Sequence, residues 1–374
     1  MSGVKVDTLR DLFVALAEIR SPSGEERAIA DFVHTYVTES GLVALEDGTA
    51  ISSASAGNLV IRVPGRGLGI PLALCAHLDT VPLAHAPRVT VEDGVVRSDG
   101  STILGADDKA AVAALLALLR DAVANPPDAD VEILLTTGEE VGLRGAKAFD
   151  LATLRARVVF VFDSAGPPGS VIVGAPTHKL VTAAFRGIAA HAGMAPEDGR
   201  SAILAAARAI AHLRLGRIDD ETTTNVGLIN GGEATNIVPR DCLVHAEARS
   251  RDDAKVAAEV TRMIEAFTLA ATETGIDVDI EVVDQYQSYR HAPDSLPVRL
   301  AEAAAAEAGL DFSPYSGNGG SDANVFNARG LPALTLGVGF ERVHSPAECM
   351  RLDRLTQVYD LAHALVRTAG ATRS

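Results

Sequence analysis

The sequence predicts an α/β layer structure with a largely parallel central sheet, interrupted by a smaller α+β module. Three observations carry this. Apolar runs of strand length alternate with helical stretches through the first half of the chain and again near its end. The middle section changes texture to a β-α-β-β-α-β order. A length of 374 residues suits roughly two domains better than one.

Along the chain, residues 7–20 place Leu9, Leu12, Phe13, Leu16 and Ile19 at helical spacing. Ser23-Gly24-Glu25-Glu26 has the form of a capping box, whose hydroxyl and carboxylate would satisfy free amides at the start of a second helix. Gly41 closes that helix. Strand-length apolar runs follow at 59–63, 72–76, 131–136, 158–162 and 333–338, with a helix over 109–123 between them. In the middle, strands at 179–185, 224–229, 243–249 and 277–283 are separated by amphipathic helices near 200–214 and 252–274. That is the order of a ferredoxin-like module set into a larger domain. The expected division is 1–176, 177–288 and 289–374: a body in two pieces around an inserted lid.

Composition excludes some functions. A formal charge of −16 argues against nucleic acid as a partner, since phosphate contacts need clustered Lys and Arg. The N-terminal segment interleaves charged and apolar residues, unlike the uninterrupted apolar stretch of a signal peptide. The longest apolar run, 110–119, is far below the roughly 20 residues that span a bilayer. Cys75, Cys242 and Cys349 are odd in number and form no CxxC pair, which points to a reduced, cytoplasmic compartment.

Five metal-capable side chains stand at the ends of apolar runs: His77, Asp107, Glu140, Asp163 and His344. His77 and Asp79 project to the same side of a strand, so Asp79 can take the second imidazole N–H and fix the ring. Asp107 lies in the turn feeding the 109–123 helix and is expected to bridge two metals, one oxygen to each; Asp108 suits a helix cap. Glu139 and Glu140 are adjacent anions at the end of a buried strand, costly unless something positive compensates them. Successive residues point differently, so one can bind metal while the other faces substrate. Taken singly, each of these is an ordinary polar strand end or turn. Together they fit the crevice where the carboxyl ends of strands in an open α/β sheet converge. Three carboxylates against two divalent cations leave a net charge of about +1, and Glu139 brings it near zero, which favours a developing oxyanion. Nitrogen and oxygen donors suit two Zn2+, with Co2+ or Mn2+ as substitutes.

With these residues in place, the chain resembles the co-catalytic zinc exopeptidases of the peptidase T group. That superfamily also holds acetylornithine deacetylase, succinyl-diaminopimelate desuccinylase, aminoacylase and glutamate carboxypeptidases. The resemblance runs over nearly the whole chain, through SPSGEE, HLDTVP, LGADDKAA, TTGEEVGLRGAK, VFDSAG, AHAGMAPEDGRSAI, TNVGLINGGEATNIVP, EARSRD and GGSDANVFNARGLPALTLGVG to the late His344. It implies a zinc-exopeptidase-like three-layer catalytic domain with an inserted lid. It further implies one zinc on His77, Asp163 and the shared Asp107, and the other on Glu140, His344 and Asp107. Asp79 would orient a ligand and Glu139 would be the general base. In the lid, His191 would help polarise the substrate carbonyl, and Asn236 and Arg249 would touch a substrate carboxylate. The late histidine stands in Glu341-Arg342-Val343-His344-Ser345, without the glycine-rich lead-in of some peptidase T members.

The activity expected is amide hydrolysis of a small peptide or acylated amino acid, of aminopeptidase or tripeptidase type. Deacylase or carboxypeptidase action is the second reading. The third is a metal-loaded but inactive scaffold, marked by loss of Glu139 or a ligand; none is missing. A homodimer through the lid is expected, and neither a basic patch nor a membrane segment is in evidence.

Overall fold

The computed structural model describes residues 6–49 and 55–373. The chain forms two compact units, one of Met1–Val173, His291–Ser316 and Ser321–Ser374, the other of Gly174–Arg290 and Gly317–Gly320.

Four parallel strands make the centre of the first unit, in the spatial order Val131–Thr136, Leu72–His77, Val158–Phe162 and Ala333–Leu336. Antiparallel strands Leu59–Val63 and Ala44–Glu46 continue the sheet on one side, and Ser170–Ala175 pairs with Ala333–Leu336 on the other. Every residue of Leu72–His77, Val131–Thr136 and Val158–Phe162 is buried. Apart from the buried Glu132, paired with Arg62 at 3.0 Å, and the polar ends His77 and Thr136, their sequences are apolar, as in strands covered on both faces. The Ala106–Ala124 segment turns helical after Asp108 and lies against the Leu72–His77 strand, with the Val6–Ala17 and Leu352–Ala371 helices packed on it. It is apolar on nearly every side because it is enclosed on nearly every side.

Register decides what the sheet presents. His77 stands opposite Thr136, Cys75 opposite Val161, and Leu336 opposite Phe162. The carboxyl ends of all four parallel strands therefore stop at one edge. A slip of one residue would turn His77 to the opposite face.

The capping box does not form. The second helix, Arg27–Glu39, begins behind Glu26 without a side-chain cap. The Ser23 hydroxyl donates to the buried Asp79 carboxylate at 2.6 Å, and Glu26 accepts from the Gly24 amide and the Ser55 hydroxyl. A hydrogen bond to a buried anion outweighs a bond to a neutral amide. The strand expected at 333–338 ends at Leu336, and Ser170–Ala175 was not foreseen as a strand.

The second unit is an antiparallel sheet in the order Gly216–Arg217, Thr222–Gly231, Asp241–Ser250, Thr177–Arg186, Asp277–Tyr286. Helices Ala202–His212 and Asp253–Thr274 pack on the sheet. Burial alternates along Asp241–Ser250, so Cys242, Val244, Ala246 and Ala248 join the core with Phe185 and Phe267, whose rings meet edge to face. Asp252 caps the longer helix through the Ala254 and Lys255 amides, and Gly275, at φ +66°, ends it. Without the short Gly216–Arg217 strand this is the β-α-β-β-α-β module expected. Among the described residues no helix is long and apolar enough to cross a membrane.

Candidate metal centre

The converging strand ends gather the carboxylates and imidazoles of the first unit. His77 closes its strand with Nδ1 donating to the main-chain oxygen of Asp79 at 2.9 Å; the Asp79 carboxylate is farther, at 3.5 Å. That bond leaves Nε2 facing Asp107 Oδ1 at 3.2 Å and Asp163 Oδ1 at 3.9 Å. The other oxygen of Asp107 faces His344 Nε2 at 3.5 Å, and the same nitrogen lies 3.0 Å from Glu140 Oε1. Donor atoms of His77, Glu139 and Asp163 lie within 4.8 Å of one another, as do those of His77, Asp107 and Glu140.

These separations test whether a cation fits. Two donors sharing one tetrahedral zinc, each about 2.0–2.2 Å from it, stand roughly 3.3 Å apart. The imidazole–carboxylate distances around Asp107 fall in that range. The donor set is nitrogen and carboxylate oxygen, with no thiolate; Cys75 is buried behind the site in the Leu72–His77 strand.

The electrostatics describe a cluster short of positive charge. Withdrawal from solvent, then repulsion from Asp163, pushes the Glu139 carboxyl well above its ordinary value. Burial does the same to Asp163. Burial would also raise Asp107, but hydrogen bonds from His344 and His77 outweigh it and bring it down to about 2. His344, bonded to Asp107 and Glu140, is held up at about 10. A divalent cation among these crowded carboxylates would offset the mutual repulsion that raises Glu139 and Asp163.

A polar frame sets the carboxylates. Asp79 accepts from the main-chain N–H of Glu139 at 3.0 Å and of Glu140 at 3.2 Å, besides the Ser23 hydroxyl. One fully buried anion therefore ties the His77 strand end to the turn carrying both glutamates. Asn58, also fully buried, accepts from the Thr137 amide at 3.1 Å and donates to the Gly145 carbonyl at 3.1 Å, closing that turn from below. Gly145 is required there, because a Cβ would stand 2.3 Å from both Asn58 Oδ1 and the Thr137 carbonyl. Asp322 is buried, accepts from the Thr136 hydroxyl at 2.6 Å, and is raised by burial to about 6. Sequence reasoning missed Asn58 and Asp322; the only available signal for Asp322 was its place in the GGSDANVF motif. Arg342 and His344 take left-handed backbone, at φ +57° and +60°, where a glycine-rich loop would bear it more easily.

The remaining candidates belong to the second unit. His191 pairs with Ile237 in an isolated bridge, and the Ala192 amide donates to the Asn236 carbonyl, so His191 and Asn236 sit on adjoining segments. His191 Nδ1 accepts from the amides of Gly193 and Met194, each at 3.1 Å, which leaves the ring proton on Nε2. Arg249 donates through Nε and Nη2 to the two oxygens of Glu247 and through Nη1 to the Tyr286 hydroxyl.

The model of Peptidase family M20/M25/M40 matches residues 73–368. YqjE of Bacillus subtilis (strain 168), an uncharacterized protein, is 37% identical over 365 residues, covering 96% of this chain and 98% of that protein. The crystal structure of aminopeptidase PepT from Bacillus cereus ATCC 10987 superposes with a TM-score of 0.87 at 37% identity, over 98% of this chain and 99% of that one. A tripeptidase from Staphylococcus aureus subsp. aureus Mu50 reaches a TM-score of 0.92 at 33% identity, over 99% and 100% of the two chains. With the family model covering most of its length and a carboxylate–imidazole cluster at its strand ends, the chain belongs to the Peptidase family M20/M25/M40.

Proposed function

We propose that the protein is an exopeptidase of aminopeptidase type, hydrolysing amide bonds of small peptides with two divalent cations, zinc first among them. One observation carries the reading: the two oxygens of Asp107 face two different imidazoles, His77 and His344. His77, Asp163 and Asp107 would hold one cation, and Glu140, His344 and Asp107 the other. When bound, such a pair supplies Lewis acidity toward a carbonyl and lowers the pKa of water.

The chain's own groups handle the protons and the orientation. Glu139, half-buried and with a raised proton affinity, takes a proton from the attacking water and delivers it to the leaving nitrogen. Asp79 fixes that carboxylate relative to Glu140 through the two amides it accepts from. His191 offers an Nε2–H as donor to the substrate carbonyl oxygen. Arg249, held by Glu247, and Asn236 are assigned to the substrate carboxylate. The similarity to an aminopeptidase and a tripeptidase supports a free amino terminus on the substrate.

The test is a screen of stripped and zinc-reloaded protein against tripeptides, their N-acetylated forms and their C-amidated forms, with cobalt and manganese as comparison metals. Zinc-dependent cleavage of free tripeptides is expected. Preferred cleavage of N-acetylated substrates would replace this reading with deacylation.

We also propose a homodimer through the second unit, supported by the Thr222–Gly231 strand. Beyond its short pairing with Gly216–Arg217 it runs along the sheet edge with Leu228 and Ile229 exposed. A monomeric mass by light scattering rejects it. The cytoplasmic reading rests on three cysteines that are all free.

A further inference from the structure

We propose that Glu348 is a positioning residue for the metal centre, fixing the loop that carries Asp107 to the loop that carries His344. The inference rests on the two-cation reading above.

Glu348 is 1% exposed, and both its oxygens are spent on main-chain amides 241 or more residues away. Oε2 accepts from Gly105 N–H at 2.7 Å, and Oε1 accepts from Asp107 N–H at 3.0 Å. Its own amide donates to the Ser345 carbonyl at 3.0 Å, in the turn directly after His344. One side chain therefore spans the two segments from which Asp107 and His344 approach each other.

The Asp107 loop needs such a hold. Asp107 and Asp108 have non-helical backbone, with Asp107 at φ −81° and ψ +101°, so the helix that follows does not set their direction. The other side of the loop is also closed. Gly105, at φ +73°, would bring a Cβ within 3.1 Å of the Thr80 methyl and 3.4 Å of Lys109 Nζ. Lys109, itself fully buried, donates to the Ile19 carbonyl. Held from beneath by two charge-assisted bonds and packed from above, the Asp107 carboxylate can keep one oxygen toward each histidine. A single bond would leave the loop free to pivot about it.

Partners that orient a metal ligand are typically worth 10–100-fold in affinity. Glu348→Gln keeps the volume and one acceptor, but turns an NH2 toward a main-chain N–H. Glu348→Ala removes both acceptors. The whole protein, wild type and each variant, is stripped and titrated with Zn2+ against a chromophoric chelator. It is then titrated with Co2+ while visible absorption is followed, and the unfolding temperature of the metal-free forms is measured alongside. The expected result is about 10–100-fold weaker uptake in E348Q, with altered Co2+ absorption and a fall in kcat at little change in KM. Wild-type affinity and an unchanged Co2+ spectrum in E348Q would overturn the role, whatever the unfolding temperature does. If E348A does not fold, the isosteric E348Q decides. A wild-type protein that takes up no cation overturns the two-cation reading and this inference with it. Two cations in the wild type with an unaltered E348Q overturns this inference alone.

Discussion

Glu139 and Glu140 show how neighbouring residues of one type come to be assigned different work. Both amides point at Asp79, yet the side chains diverge: Glu140 meets His344 and groups with Asp107, while Glu139 groups with Asp163. Glu139→Gln should keep both cations and lose about 10²–10⁴-fold in kcat, the usual worth of a general base. Wild-type-like turnover with full metal content would remove Glu139 from that role. Asp107→Asn should do the reverse and cost metal before chemistry, since an amide offers one acceptor where the carboxylate offers two; chelator competition checks it. His77 and Asp163 were legible because each ends or directly follows an apolar strand, and the Glu139–Glu140 pair because it stands just beyond another. Asn58 and Ser23 were not, because their bonds, to Gly145 and to Asp79, depend on segments 87 and 56 residues away.

At the scale of elements, the Leu72–His77 and Val158–Phe162 strands announced themselves by apolar sequence, and the helix after Asp108 by its Ala and Leu content. What stayed hidden were elements made by their neighbours, such as Ser170–Ala175, a short run that begins with Ser170 and contains Gly174. The turn from Thr137 to Gly145 is the element most exposed to small changes. Gly145→Ala should cost about 1–3 kcal/mol of stability, because the added methyl must displace Asn58 or the Thr137 carbonyl. It should also loosen cation binding by shifting Glu140. Denaturant unfolding and a metal titration measure the two effects, and a variant unaltered in both would show that the turn yields freely. In the central strand, Leu74→Ala, at a fully buried position, should cost about 2–5 kcal/mol by calorimetry.

For the molecule as a whole, the protonation of the centre sets how stability follows pH. Asp322 has its pKa raised from 3.8 to about 6 in the folded state, so its contribution is full below 3.8 and is lost as pH rises through about 6. His344 is raised from 6.5 to about 10, so its contribution is full below 6.5 and is lost as pH rises through about 10. Both changes weaken the metal-free fold as pH climbs. Cations need deprotonated ligands, so the gain in unfolding temperature on adding zinc should be larger near pH 8 than near pH 6. An equal gain at the two values would mean that these groups do not compete with metal. The antiparallel sheet of the middle section was foreshadowed by the change of texture there. The pairing of Ala333–Leu336 beside Val158–Phe162 across the inserted module was not, since it follows from the sheet's parallel topology rather than from any local pattern.

That topology has a consequence for synthesis. Glu140 and His344 meet across 204 residues, with the whole inserted module made between them. A ribosome-bound intermediate that has released only the first half of the chain can therefore carry at most part of the cation pocket. On the two-cation reading proposed above, metal would settle fully only after the segment carrying His344 has docked, so zinc uptake during translation would report the release of that segment.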